Sequence, residues 1–124
     1  PRWKNDLNSK CSDSHLKALA EIITTIGKTA KSEREKVYEI LINREICHFL
    51  CEILSSNQLK KTPFINKVIC YLSESPRFYR DEVFRVLKTY LRLLNALPET
   101  RLLYRKFNKY MDDIFKCIAI ILMR

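Results

Sequence analysis

The stretch FYRDEVFRVLKTYLRLLNALPETRLLYRKF, residues 78–107, decides the fold class. From Phe78 to Asn95 its apolar residues recur at spacings of three and four, with Val83, Val86, Leu87, Tyr90, Leu91 and Leu94 on one face. That period is the signature of an amphipathic helix, since a half-buried strand would alternate every second residue. Pro98 then stands where a first-turn proline costs no hydrogen bond, and Glu99 follows where the helix dipole favours a negative charge. The reading is one long helix, a joint at 96–101, and a new helix with Leu102, Leu103 and Phe107 inward.

Working outward, the same period runs through the whole chain. Leu16, Leu19, Ile22, Ile23 and Ile26 form a stripe that should stop near Gly27. Ser32-x-x-Glu35 has the spacing of a capping box, and a helix carrying Val37, Ile40 and Leu41 follows it. After a turn at Asn43-Arg44 comes a third stripe of Ile46, Phe49, Leu50, Ile53 and Leu54. Thr62-Pro63 and Ser75-Pro76 each read as an N-cap followed by a first-turn proline, the first opening a helix with Ile65, Val68, Ile69 and Leu72. A last helix, starting near Asp112 and Asp113, carries Ile114, Phe115, Ile118, Ile121 and Leu122.

The halves repeat. Leu16, Leu19, Ile23 and Ile26 correspond to Phe84, Leu87, Leu91 and Leu94, each 68 positions later, and Ile46, Leu50, Ile53 and Leu54 correspond to Ile114, Ile118, Ile121 and Leu122 at the same offset. Val37 and Ile40 fall on Tyr104 and Phe107 with a one-residue slip. The expected architecture is therefore all-α and armadillo/HEAT-like, about two three-helix units with an intervening helix, in a single domain over residues 1–124. The apolar stripe that runs to Met123 suggests a piece of a longer repeat array, or a face covered by a second copy of the chain.

Composition narrows the function. With one glycine and four prolines there is no Gly-rich phosphate loop to write, and no cofactor is expected. The longest apolar run, Cys117–Met123, is far short of the roughly 20 residues that cross a bilayer. Five cysteines, at 11, 47, 51, 70 and 117, show no paired disulfide spacing, which fits a reducing intracellular setting, cytoplasmic or nuclear. Cys47-His48-x-x-Cys51 has part of a zinc ligand set but no second Cys/His pair, so these cysteines read as small buried hydrophobes and no metal is expected. Asp112 and Asp113 diverge by about 100° on a helix, which suits a charged helix start better than a catalytic pair. No group of residues converges as catalysis requires, and the chain is read as a non-enzyme.

The charge points elsewhere. Lys and Arg number 23 against 14 Asp and Glu, a net +9, and residues 60–110 are the most basic region, including Lys60, Lys61, Lys67, Arg77, Arg80 and Arg101. Arg85, Lys88 and Arg92 share one face of the long helix, and Arg105 and Lys109 follow; these five are the candidate surface for a partner. The aromatics Phe78, Tyr79, Tyr90, Tyr104, Phe107 and Tyr110 interleave with them, a pattern that also suits single-stranded nucleic acid held by phosphate pairing and base stacking. In a repeat array the concave side is lined by the last helix of each unit, which here offers His48 and Glu52 in one and Lys116 in the other. A protein partner is the principal reading and direct nucleic-acid binding the alternative.

Residues 36–72, KVYEILINREICHFLCEILSSNQLKKTPFINKVICYL, resemble the central armadillo segment of the Required-for-cell-differentiation (RCD/RQCD, Caf-type) family, through Leu41 to Ile46, Leu50 to Leu54, Leu59-x-Lys61-Thr62 and Val68 to Leu72. Tyr90-Leu91-Arg92-Leu93 and Pro98 to Arg101 resemble the family's late helix and the start after it, so the likeness spans residues 16–110. It lacks the family's first repeats and has a shorter stretch between Leu72 and Val83. The resemblance implies a non-catalytic scaffold subunit of the Ccr-Not messenger-RNA deadenylase complex, docking on a large scaffold protein and recruiting RNA-bound repressors. No ligand pocket transfers residue by residue.

Overall fold

The computed structural model describes the backbone of residues 2–56, 59–100 and 107–124, and the side chains of residues 2–56, 60–96 and 109–124. Among these it is all-α, with eight α-helices and no strand.

Burial explains the arrangement. Helix α4 (Ile46–Ser55) is apolar on nearly every side and buries Ile46, Cys47, Phe49, Leu50, Cys51, Ile53 and Leu54. Such a helix must be covered on several sides, and α4 packs on α1 (Arg2–Asn8), α3 (Arg34–Asn43), α5 (Thr62–Leu72) and α7 (Val83–Thr100). Its neighbour α5 places Ile65, Val68, Ile69 and Leu72 at full burial, as their spacing predicts. Against α5 lie α2 (Ser12–Lys28) and α8 (Phe107–Met123), and the short α6 (Pro76–Asp81) leans on α3 and α7. The two central helices hold the outer ones in place.

Polar ties fix the registers. Tyr38 on α3, 1% exposed, donates to Glu74 Oε2 at 2.8 Å in the turn after α5. Ser75 caps α6 as its sequence predicts, accepting from the Arg77 amide at 3.3 Å, and its hydroxyl also donates to Glu35 Oε1 at 2.7 Å. Glu35 therefore looks across to α6, and the expected Ser32–Glu35 capping box does not form; Glu33 precedes α3 and no side chain caps it. Tyr79 donates to the Ile121 carbonyl at 2.6 Å, joining α6 to α8. Lys61, part of the basic stretch of residues 60–110, is 2% exposed; its Nζ donates to His15 Nδ1 at 2.6 Å. The other His15 nitrogen then carries the proton and donates to the Ser9 carbonyl at 2.5 Å. Burial lowers the Lys61 pKa.

Several boundaries differ from the sequence reading. Helix α2 does end near Gly27, at Lys28, although Gly27 is still helical and a Cβ there would meet only Tyr71 Oη at 3.9 Å. Thr62 is the first residue of α5 and Lys61 its cap position. The 78–95 stretch is two helices, because the chain breaks at Glu82 between α6 and α7. Pro98 does not open a new helix: α7 runs on to Thr100, and the proline only forfeits one amide donor in the last turn. Residues 101–106, with Leu102, Leu103 and Tyr104, lie outside the described residues. Helix α8 begins at Phe107, several residues before Asp112. Asn43-Arg44 does turn, with Glu45 in the left-handed region at φ 66°.

Faces also rotate. On α3 Tyr38, Leu41 and Ile42 are buried while Ile40 is 54% exposed. Leu91 and Phe84 on α7 point outward, as do Phe115 and Leu122 on α8. The 68-residue offset pairs buried with buried at Ile46 and Ile114, Ile53 and Ile121, and also Ala18 with Val86 and Ile22 with Tyr90. It fails at Leu54 and Leu122 and at Leu16 and Phe84, whose partners face solvent.

Candidate functional site

The α4–α7 crossing leaves an open groove of about 440 Å³. One wall comes from α7, whose buried stripe of Val86, Thr89, Tyr90 and Leu93 turns Arg85 and Arg92 outward, two helical turns apart. The facing wall is the outer edge of α4, where His48, Glu52 and Ser55 recur at helical spacing, with Ser56 at its end. Cys51 closes the floor, its thiol pKa raised by burial.

The hydroxyls are committed to their own helices. Thr89 donates to the Arg85 carbonyl at 2.9 Å, Ser55 to the Cys51 carbonyl at 2.8 Å and Ser56 to the Ile53 carbonyl at 2.6 Å. His48 Nε2 lies 3.2 Å from Glu52 Oε1, both well exposed. On the other wall Arg85 reaches Glu82 Oε2 only at 3.9 Å, too long for a hydrogen bond. Glu82 is mostly buried, and burial raises its pKa. Arg92 has no ion pair among the described residues. The groove thus offers one self-paired wall and one with positive charge to spare.

Of the five residues expected to form the surface, the structure brings Arg85 and Arg92 into the groove. Lys88 is exposed on the same helix beside it, and Lys109 is exposed on α8, apart from the groove lining. Arg105 lies outside the described residues, as do Arg101 and the side chain of Phe107. Arg77 and Arg80 are drawn to Asp81. His48 and Glu52, expected on the concave side of the array, line the groove with the arginines; Thr89, Ser55 and Ser56 gave no signal, because their roles depend on how α4 and α7 cross.

Among the described residues, the interleaved aromatics do not line this surface, and Tyr104 and the side chain of Phe107 lie outside them. Phe78 and Tyr90 are fully buried, and Tyr79 and Tyr110 are half-buried against the core. Phe84, beside Arg85, is instead 84% exposed. Cys47 and Cys51 point into the core while His48 points out, so the three do not converge, and among the described residues no group of three or more His, Cys, Asp or Glu could hold a metal ion. No helix among the described residues is long and apolar enough to cross a membrane. Comparison with protein-family models, with curated proteins and with solved structures gives no match to this chain.

Proposed function

We propose that the chain is a non-catalytic helical scaffold that receives an acidic segment of a protein partner along the α4–α7 groove. The observation that carries this reading is the pairing of the walls: Arg92 and the weakly engaged Arg85 line an open groove, while Glu52 opposite them lies 3.2 Å from His48. An acidic partner gains two guanidinium contacts there without displacing a strong internal ion pair. The groove's hydroxyls are bonded within their own helices, which suits docking better than chemistry. The resemblance of residues 16–110 to the Required-for-cell-differentiation family is what suggests an RNA-regulatory, messenger-RNA-deadenylation type of assembly for such a scaffold.

One observation favours direct nucleic-acid binding instead. Phe84 is exposed next to Arg85 and could stack a base. Against it, the described aromatics that interleave with the basic residues are turned inward.

The test is fluorescence anisotropy with a labelled Asp/Glu-rich peptide and, separately, a labelled single-stranded RNA, each at low and physiological salt. The scaffold reading expects peptide binding that an Arg85→Glu/Arg92→Glu variant loses. RNA binding with a steep salt slope, lost in a Phe84→Ala variant and unmatched by the peptide, would replace it with the nucleic-acid reading.

A further inference from the structure

A second cavity, of about 210 Å³, opens between α5 and α8 on a part of the molecule that the α4–α7 groove does not use. Two thiols meet in it: Cys70 Sγ of α5 and Cys117 Sγ of α8 are 3.5 Å apart, although 47 positions separate them in sequence. Cys70 is half-exposed and Cys117 is 2% exposed, so one sulfur is reachable from solvent and the other stands behind it. Asn66 also lines the cavity, and its buried Nδ2 has no hydrogen-bond partner. Lys67 and Lys116, both exposed, stand on the two helices beside the sulfurs with Asp113.

We propose that Cys70 and Cys117 form an oxidisable dithiol, in which Cys70 reduces a hydroperoxide entering this cavity and the pair then closes to a disulfide that ties α5 to α8. The geometry assigns the order. Only Cys70 meets solvent, and its pKa is lowered chiefly because the Cys117 S–H can donate to its thiolate. That hydrogen bond and burial together raise the pKa of Cys117, which makes the buried sulfur the second to react. The charge of Arg124 adds to the lowering at Cys70, which gives it the electropositive, partly exposed setting of reactive cysteines.

In the first step the Cys70 thiolate attacks the outer peroxide oxygen and the O–O bond breaks. The alkoxide or hydroxide leaves and takes a proton from solvent, and Cys70 becomes a sulfenic acid. In the second, the Cys117 sulfur attacks the Cys70 sulfur, the S–O bond breaks, and hydroxide departs with the Cys117 proton as water. Two thiols are oxidised by two electrons and one peroxide is reduced. Bond formation needs the sulfurs to close from 3.5 Å to about 2 Å. Cys47 and Cys51 are both buried, burial raises both their pKa values, and neither lines the cavity between α5 and α8.

Cys11 is exposed, with its pKa lowered chiefly by the Ser14 amide, and would report its own oxidation, so the test uses full-length Cys11→Ser protein. It is treated with hydrogen peroxide, alkylated after denaturation and digested without reduction. The expected map gains one crosslinked Cys70–Cys117 peptide while Cys47 and Cys51 remain alkylated. In an added Cys117→Ser variant, dimedone should trap a sulfenic acid at Cys70, and in Cys70→Ser protein Cys117 should stay reduced. Cys70 and Cys117 both remaining alkylated, or Cys70 passing to sulfinic acid with no crosslink in the Cys11→Ser protein, overturns the proposal. The crosslink map leaves both members of the pair native, so it decides the matter even if a substituted pair fails to fold.

Discussion

The hydroxyl of Tyr38 donates to Glu74 across 2.8 Å, pinning the middle of α3 to the turn that follows α5. The phenol is buried while the carboxylate is exposed, so the bond closes the edge of the core. Tyr38→Phe keeps the ring and removes only the hydroxyl. It should cost about 1 kcal/mol, the usual net contribution of such a bond, read from urea or guanidinium midpoints at constant slope.

Core and surface leucines should separate cleanly. Leu50 is fully buried on α4, whereas Leu91 on α7 is 60% exposed although its spacing placed it inward. Leu50→Ala should cost about 2–5 kcal/mol, and Leu91→Ala less than about 0.5 kcal/mol. Comparable losses at the two positions in thermal or denaturant unfolding would show that α7 presents a different face.

Alkaline pH should destabilise the fold. Cys47 and Cys51 have pKa values raised by burial, Cys117 by its hydrogen bond with Cys70 and by burial, and Tyr38 and Tyr90 chiefly by burial. Each of these acids loses its proton more readily unfolded than folded, so its contribution is complete below the unfolded pKa and is lost as pH rises beyond it. The decline should begin near pH 9, the ordinary thiol value. Lys61 acts oppositely, because its lowered pKa makes folding easier as pH rises toward 10.5, and it offsets part of the loss. Unfolding midpoints at pH 7, 9 and 10 measure the balance, and Cys47→Ala should flatten the decline.

Charge reversals near the groove should differ by position. Arg92 lines it and has no ion pair among the described residues, while Lys109 lies on α8 away from the lining. Arg92→Glu should weaken an acidic peptide by about three- to tenfold at physiological salt, in the range expected for exposed charge contacts, and Lys109→Glu should leave it within about twofold. Titrations of both variants with the same peptide supply the comparison.

Gly27 lies in the last turn of α2, where an added Cβ would meet only the Tyr71 hydroxyl at 3.9 Å, an ordinary contact, and glycine adds backbone freedom to the unfolded chain. Gly27→Ala should raise stability by about 0.5–1 kcal/mol. A melting temperature that falls instead would mean that Tyr71 cannot accommodate the methyl group.

What could be read in advance follows from how local each cause is. The burial of Ile46, Phe49, Leu50, Ile53 and Leu54, and of Ile65, Val68, Ile69 and Leu72, was legible because three- and four-residue spacing acts within one helix. Ser75 was legible as a cap for the same reason. Glu35 was misread because its true partner, Ser75, lies 40 positions away. Leu91 and Phe115 were placed inward because a periodic stripe wider than the contact cannot say which edge remains outside. Lys61 was read only as part of the basic stretch, because nothing local signals that His15 waits to accept from it. In the groove, Arg85 and Arg92 followed from helical spacing, but the wall they face depends on the α4–α7 crossing.

The two bonds of Ser75 give one oxygen two structural duties. The same hydroxyl that accepts from the Arg77 amide to start α6 donates its proton to Glu35 on α3. Fraying of α6 therefore pulls on α3, and release of α3 leaves the α6 cap without its orienting partner. Helices far apart in sequence are coupled into one cooperative unit, whose opening would be shared in hydrogen exchange and whose two ends would not respond additively to change.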